Sequence, residues 1–343
     1  MLSVNNEHVR VWDVETLLAE GNPNLERPGS DNIARVNQLA VMAGEEPQLY
    51  VGGFDEVAAL DPVTGAIRWR RTFSSSRQTT VALAASIRHG VVAASGSTLH
   101  LLDPLTGVLT RSIDTGLNEI IQLRLSELKG RPVVVLNAEE RHAWATWVWD
   151  LDKGREIGTD HTFGHKFGLS HGQEDKPLYG LAVLRRGEQI RFAFASKYSM
   201  VMVANFPDAV EDVLHRPFLE WHFSEQAGQY VRALPVGKCD DRTLLVAGTD
   251  HGAIIVWDFD SGICEGCRLN AHIGSTDHVC FGMIAGDSVL IAGGTDAMVS
   301  LWTPSLEPLS QIEIGERITS LAWMPPDGLA VGGMSGVLVL RFQ

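Results

Sequence analysis

Cysteine is scarce. The 343-residue chain has four, Cys239, Cys264, Cys267 and Cys280, all in one short region. Such a set does not form the spread framework of a disulfide-stapled domain, and reduced thiols fit it best. Long apolar runs are lacking as well: no stretch approaches the ~20 residues a membrane-spanning helix needs. The first residues carry Asn, Glu, His, Arg and Asp where a secretory signal has its apolar centre, so the expected location is the cytoplasm. Positive charge is in deficit, with 28 Lys and Arg against 42 Asp and Glu and a formal charge of −14 at pH 7. That balance opposes a phosphate backbone, and the isolated pairs Arg70-Arg71 and Arg185-Arg186 make no basic patch with interleaved aromatics. Neither nucleic acid nor membrane is an expected partner. Helical periodicity is nearly absent too, since only 126–129 and 209–215 accommodate a helical turn. No Gly-x-Ser-x-Gly elbow, P-loop or dinucleotide fingerprint occurs.

What the chain has is repetition. Ala253-Ile254-Ile255-Val256-Trp257-Asp258 is a short, β-branched apolar run that falls at once into Phe259-Asp260-Ser261-Gly262, which reads as a buried strand followed by a tight turn. The turn recurs as Asp61-Pro62-Val63-Thr64-Gly65, Asp103-Pro104-Leu105-Thr106-Gly107 and Asp150-Leu151-Asp152-Lys153-Gly154. A degenerate copy stands at Asn205-Phe206-Pro207-Asp208, and Trp302-Thr303-Pro304 ends the series. The spacing is roughly 42 to 55 residues, near that of propeller blades. Each unit holds four short strands, an antiparallel meander that cannot bury both faces alone.

The expected fold is therefore all-β: one seven-bladed β-propeller domain over 1–343 with four-stranded antiparallel blades. Innermost strands begin near Ile33, Thr80, Glu119, Leu178, Tyr230, His278 and Ile318. The last unit has three strands, so the amino-terminal segment within 1–29, with Val9-Arg10-Val11-Trp12-Asp13, is expected to close the ring and remove an unpaired edge. The alternative is that the chain is a piece of a longer array.

Val-Trp-Asp at 11–13, 148–150 and 256–258 resembles the strand end of WD40 repeats. Ala271-His272, with Asp296 and Trp302 downstream, resembles that family's His, Asp, Trp hydrogen-bonded set, whereas His251, Asn6 and Ser335 stand where other blades would carry the Asp. A second resemblance, Ala59-Leu60-Asp61-Pro62-Val63-Thr64-Gly65-Ala66-Ile67-Arg68-Trp69, is to the docking motif of quinoprotein-like propellers, and 102–107 repeats its centre. Both resemblances imply a propeller. The second also implies an enzyme with a quinone and Ca²⁺ site, and the domain style is similar to sensor regions of bacterial signalling ATPases and kinases.

The chemical signals are outweighed by structural ones. Cys264-x-x-Cys267 with His272 and Cys280 approaches zinc-knuckle spacing, but residues i and i+3 of a regular strand point to opposite faces. His161, His165 and His171 read as a solvated connection. Asp61, Asp103, Asp150 and Asp258, with Gly65 and Gly107, read as turn formers that bond their own backbone. Trp12 and Asp13, Trp69, Trp149, Trp257, His272 and Trp302 read as packing or scaffold residues. No cofactor, metal or catalytic residue is assigned. The expected function is a non-enzymatic scaffold or sensor. It would present outer-to-inner connections and middle-strand turns to a protein or peptide with a basic surface. On that face the candidates are Gln78, Tyr179, Tyr230, Asp277 and Arg317 before inner strands, and Phe54, Tyr198, His251, Asp296 and Met334 at middle turns.

Overall fold

The computed structural model describes residues 9–13, 36–44, 46–73, 80–140, 143–157, 180–195, 201–206 and 230–342. Gln78, Tyr179, Tyr198, His161, His165, His171 and the segment 209–215 lie outside them. The described residues hold no α-helix, and their strands form seven antiparallel sheets.

Blade 1 is a meander of Gln38–Met42, Gln48–Gly52, Glu56–Leu60 and Ile67–Thr72. Blade 2 repeats it with Ala82–Ser86, Gly90–Ser95, Thr98–Leu102 and Leu109–Asp114. Blade 3 lengthens its first two strands, Glu119–Leu128 and Arg131–Glu140, so 126–128 are strand rather than the helical turn the sequence accommodates. Pairing with 131–133 fixes them: an open sheet edge satisfies more backbone groups than one isolated turn. Blade 3 ends with Ala143–Asp150 and Arg155–Glu156. Blade 4 shows three strands among the described residues, Leu181–Arg186, Gln189–Ala195 and Val201–Phe206. In blade 5 the inner strand is split into Val231–Ala233 and Val236–Cys239 at Pro235, which has no N–H to donate to the ladder. Arg242–Thr249, Ile254–Asp258 and Cys264–Arg268 complete it. Blade 6 runs through Thr276–Ile284, Asp287–Gly294, Met298–Trp302 and Pro308–Glu313.

Blade 7 supplies Ser320–Met324, Gly328–Gly332 and Val337–Phe342, and Val9–Asp13 pairs antiparallel with the last of these. The amino-terminal segment closes the last blade, as expected. Its Trp12-Asp13 is thereby an outermost strand, not a third strand like 148–150 and 256–258. The open edge of 337–342 sets that position, because it offers the unpaired backbone groups the segment needs.

The core is divided into seven apolar clusters, each between two adjacent blades, and the cluster joining blades 7 and 1 completes the circle. A blade with two apolar faces, such as Val133 to Leu136 with no exposure at all, is stable only when both neighbours cover it. Inner strands also cap one another: Ser320 Oγ accepts from Leu39 N at 3.0 Å, and Gln38 Oε1 accepts from Leu83 N at 3.0 Å. The ring has two faces. Upper is the face with the second-to-third-strand turns and the outer-to-inner connections; lower is the face with the remaining turns.

Candidate functional site

The upper face over blades 5 to 7 is where most of the described candidate residues gather. Its best-defined part is blade 6. His272 is buried, with Nδ1 3.0 Å from both oxygens of Asp296 and Nε2 2.7 Å from Ser300 Oγ. Trp302 Nε1 donates to the same hydroxyl at 2.8 Å. Asp296 further accepts from the backbone N of Ile273 and of Met298. The set ties the connection entering blade 6 to its middle turn and its third strand. Asp296, a candidate for partner contact, therefore spends its oxygens inside the blade. Ser300 was not legible from the sequence, although its position two residues before Trp302 is the available signal.

Blades 5 and 7 fix the same places by other means. Strand register puts His251 where blade 6 has Asp296, as the sequence indicates, and Asp250 where it has Thr295. Asp250 Oδ1 accepts from Tyr230 N at 2.8 Å and faces His251 Nδ1 at 2.8 Å, as Thr295 Oγ1 accepts from Ser275 N at 3.0 Å. In blade 7 the polarity is reversed. Glu316, on the incoming connection, accepts from Met334 N at 2.9 Å and from Ser335 N at 3.1 Å. Blades 5, 6 and 7 thus each fix a middle turn by hydrogen bonds to the incoming connection. Met334 is 45% exposed and Phe54, on the blade 1 turn, 36%, while Ile273 on the incoming connection is 88% exposed.

Asp277 and Arg317 pair with each other at 2.8 Å, the aspartate well covered and the arginine exposed. His278, beside them on the inner strand, is pushed down to about 4, by burial first, with Asp277 opposing and Arg317 assisting. The ring therefore stays neutral at pH 7. Tyr230 enters blade 5 through its backbone bond to Asp250.

The cysteines obey a different geometry from a regular strand. Cys264 pairs with Trp257 and Cys267 with Ile255 across a bulge that adds one residue. Directly opposed residues share a face, so the two exposed thiols lie on one side of the outer strand and the opposite-face expectation is corrected. The other spacing partners lie elsewhere. His272 is in the polar set above, Cys239 is buried between blades 5 and 6, and Cys280 packs toward blade 7, its thiol pushed up to about 12 by burial. Among the described residues no three His, Cys, Asp or Glu side chains converge as metal ligands.

The turn motifs do structural work. Asp61, Asp103 and Asp258 each accept from the backbone N of the second and third residues on, Asp150 from that of Lys153, and Gly65, Gly107, Gly154 and Gly262 follow at positive φ. Trp69, the end of the quinoprotein-like motif, reaches the next blade and donates from Nε1 to Pro104 O at 2.9 Å. Trp149, Trp257 and Trp302 are buried between blades.

Two features escaped sequence reasoning. Ile87, Val63, Leu105 and Val108, all more than half exposed, group on the lower rim of blades 1 and 2. Their signal is an apolar residue at the freest position of a polar turn. On the same face, Glu127 receives Arg88 Nη1 at 2.6 Å and Arg185 Nη1, joining blades 2, 3 and 4 by residues far apart in the chain.

No protein-family model and no curated protein matches the sequence. Solved structures do match in shape. A WD40 β-propeller domain of Doa1 aligns with a TM-score of 0.65 at 13% identity, covering 92% of this chain and 94% of that one. The computationally designed Ika8 protein aligns with a TM-score of 0.56 at 16% identity, covering 90% of this chain and all of that one. At such identities the likeness establishes the fold: a WD40-like seven-bladed propeller.

Proposed function

We propose that the chain is a non-catalytic interaction module that presents the upper face over blades 5, 6, 7 and 1 to a protein or peptide partner. The observation that carries the reading is the pairing of fixed backbone with free side chain. Ile273 and Met334 each have their N–H bonded to a buried or half-buried carboxylate while their side chains stand in solvent. Apolar anchors held in place before association lose little entropy on binding. His251 and Arg317 add polar and cationic contacts beside them, and the charge of −14 favours a basic partner surface. WD40-like propellers offer this kind of face generally, which makes the fold a supporting argument of analogy. The bond from Trp69 Nε1 to Pro104 O of the next blade supports a packing role for the motif that resembles the quinoprotein docking sequence. The proposal includes a cytoplasmic location, which the clustering of the four cysteines in one short region of the sequence supports.

The test uses both faces. A partner captured from the source cells and identified by cross-linking is titrated against Ile273→Asp/Met334→Asp and against Val63→Asp/Leu105→Asp. Loss of about ten-fold or more in affinity is expected for the upper pair alone, the size of a hot-spot deletion. Loss confined to the lower pair would overturn the assignment of the face.

A further inference from the structure

The inner strands of the ring carry, at one level, a repeated small residue. Following each ladder inward from the outer strand places Ala40, Ala84, Pro235, Cys280 and Ala322 at equivalent positions of blades 1, 2, 5, 6 and 7. In blade 3 the same register position is Arg124, opposite Val135. Its neighbours Leu123 and Leu125 pack toward blade 2, so alternation turns Arg124 toward blade 4, from the inner strand that borders the ring axis. The equivalent on blade 4 is Ala182, so Arg124 is the one long side chain at this level among the described inner strands.

Arg124 is half-buried on the inner strand of blade 3, and among the described residues its guanidinium makes one hydrogen bond, from Nη1 to the carbonyl of Leu123 at 2.9 Å. Among the described residues it has no carboxylate within ion-pair distance. Glu127, three residues along the same strand, is taken by Arg88 and Arg185. Burial pulls the Arg124 guanidinium below its ordinary value, with no acidic group offsetting it. A partly dehydrated cation without a counter-charge is costly, and a planar guanidinium with unused donors matches an oxyanion in two-point contact. In a chain of net charge −14 such a cation is not a consequence of general basicity.

We propose that Arg124 is the receptor of an oxyanion site on the ring axis, taking a carboxylate or phosphate group. The site is independent of the upper-face reading. Its anion has two sources, a free inorganic ion or an acidic group at the end of a peptide threaded into the axis, and the probes separate them. Calorimetric titration at fixed ionic strength uses inorganic phosphate, and in parallel a short peptide ending in Glu. Saturable binding of one or both is expected in the wild type. Arg124→Gln should weaken it by about ten-fold or more, the loss of a charge-assisted bond pair, and Arg124→Lys, which keeps charge without the fork, should fall between. Arg242→Gln, which removes an exposed ion pair to Glu265 far from Arg124, should stay within about two-fold. Phosphate alone binding identifies a small-ion site, and the peptide alone binding identifies a peptide end. Should Arg124→Gln not fold, the Arg124 Nε–Hε resonance of the wild type is followed instead, and a saturating shift supports the site. Absence of saturable binding by either probe, equal binding by folded Arg124→Gln, or an unmoved resonance would overturn it.

Discussion

The junction between blades 1 and 2 and the junction between blades 5 and 6 solve one packing problem with the sizes exchanged. In the first, Trp69 on the outer strand lies over Gly107 of the next blade's turn, where a Cβ would come within 2.5 Å of the indole. In the second, register puts Gly266 at the place of Trp69, and Leu306 occupies the turn position of Gly107 at φ 65°, with its side chain 3.3 Å from where a Gly266 Cβ would lie. Between blades 2 and 3, Arg111 takes the tryptophan's place and donates to the carbonyls of Leu151 and Asp152 at 2.7 and 2.6 Å. The space between an outer strand and the neighbouring turn must be filled, and either partner can fill it. Trp69→Ala is accordingly expected to carry the largest cost, about 3–5 kcal/mol in chemical denaturation, for a buried aromatic with a lost hydrogen bond. Gly107→Ala should cost about 1–3 kcal/mol through overpacking and strain. Leu306→Gly loses buried area but relaxes the positive φ, so its cost should be smaller than that of Trp69→Ala, about 1–2 kcal/mol. Equal costs for Leu306→Gly and Trp69→Ala would show that relief of the positive φ contributes nothing, and no cost for Leu306→Gly would break the equivalence of the two junctions.

A second contrast lies on the upper face, between the middle turns of blades 6 and 5. His272 is enclosed and bonded at both ring nitrogens, whereas His251, at the register position of Asp296, has an exposed side chain and one contact, to Asp250. His272→Ala leaves Asp296 and Ser300 with unmet bonds and should cost about 2–4 kcal/mol, because a buried polar network fails as a unit. His251→Ala should change stability by less than about 0.5 kcal/mol. Melting curves of the two variants sharpen the distinction between scaffold and free surface. A large loss from His251→Ala would place it in the scaffold and remove it from the proposed contact face.

The same contrast explains what was legible in the sequence. Turns of the Asp-x-x-Thr-Gly kind are local, so Asp61 and Asp103 announce strand ends by themselves, and their spacing conveys seven blades. Val9–Asp13 was identifiable as the ring closure because a missing strand is also a local count. Contacts between blades are not local. Ser300 joins His272 across 28 residues, Glu127 joins Arg88 and Arg185 across 39 and 58, and neither pairing has a spacing rule. The bulge beside Cys264 shifts strand phase by one residue, and nothing in Cys-Glu-Gly-Cys signals it. Arg124 is apparent only once the register of the ladders identifies its equivalents as alanine, proline or cysteine.

The smallest expected effect separates the turns by their chemistry. Arg68 first, with backbone N–H groups, holds the Asp61 carboxyl well below its usual range. The Thr106 hydroxyl and amide lower the pKa of Asp103, and the Ser261 amide and hydroxyl that of Asp258. A carboxyl with a lowered native pKa contributes stability above its unfolded value of about 3.9 and loses it as pH falls through the native value. The corresponding turn of blade 6 begins with Thr303, whose Oγ1 accepts from Glu307 N at 3.0 Å and does not titrate. The amides of Gly65, Gly107 and Gly262 donate to the carbonyl of their own Asp, and that of Leu306 donates to Thr303 O at 2.9 Å. Hydrogen exchange should therefore lose protection at the three glycines as pH falls below about 4. Protection at Leu306, compared with its intrinsic rate, should hold over the same range. If Leu306 opened in step with the glycines, acid would be loosening the ring as a whole, and the turns would have no separate contribution to its stability.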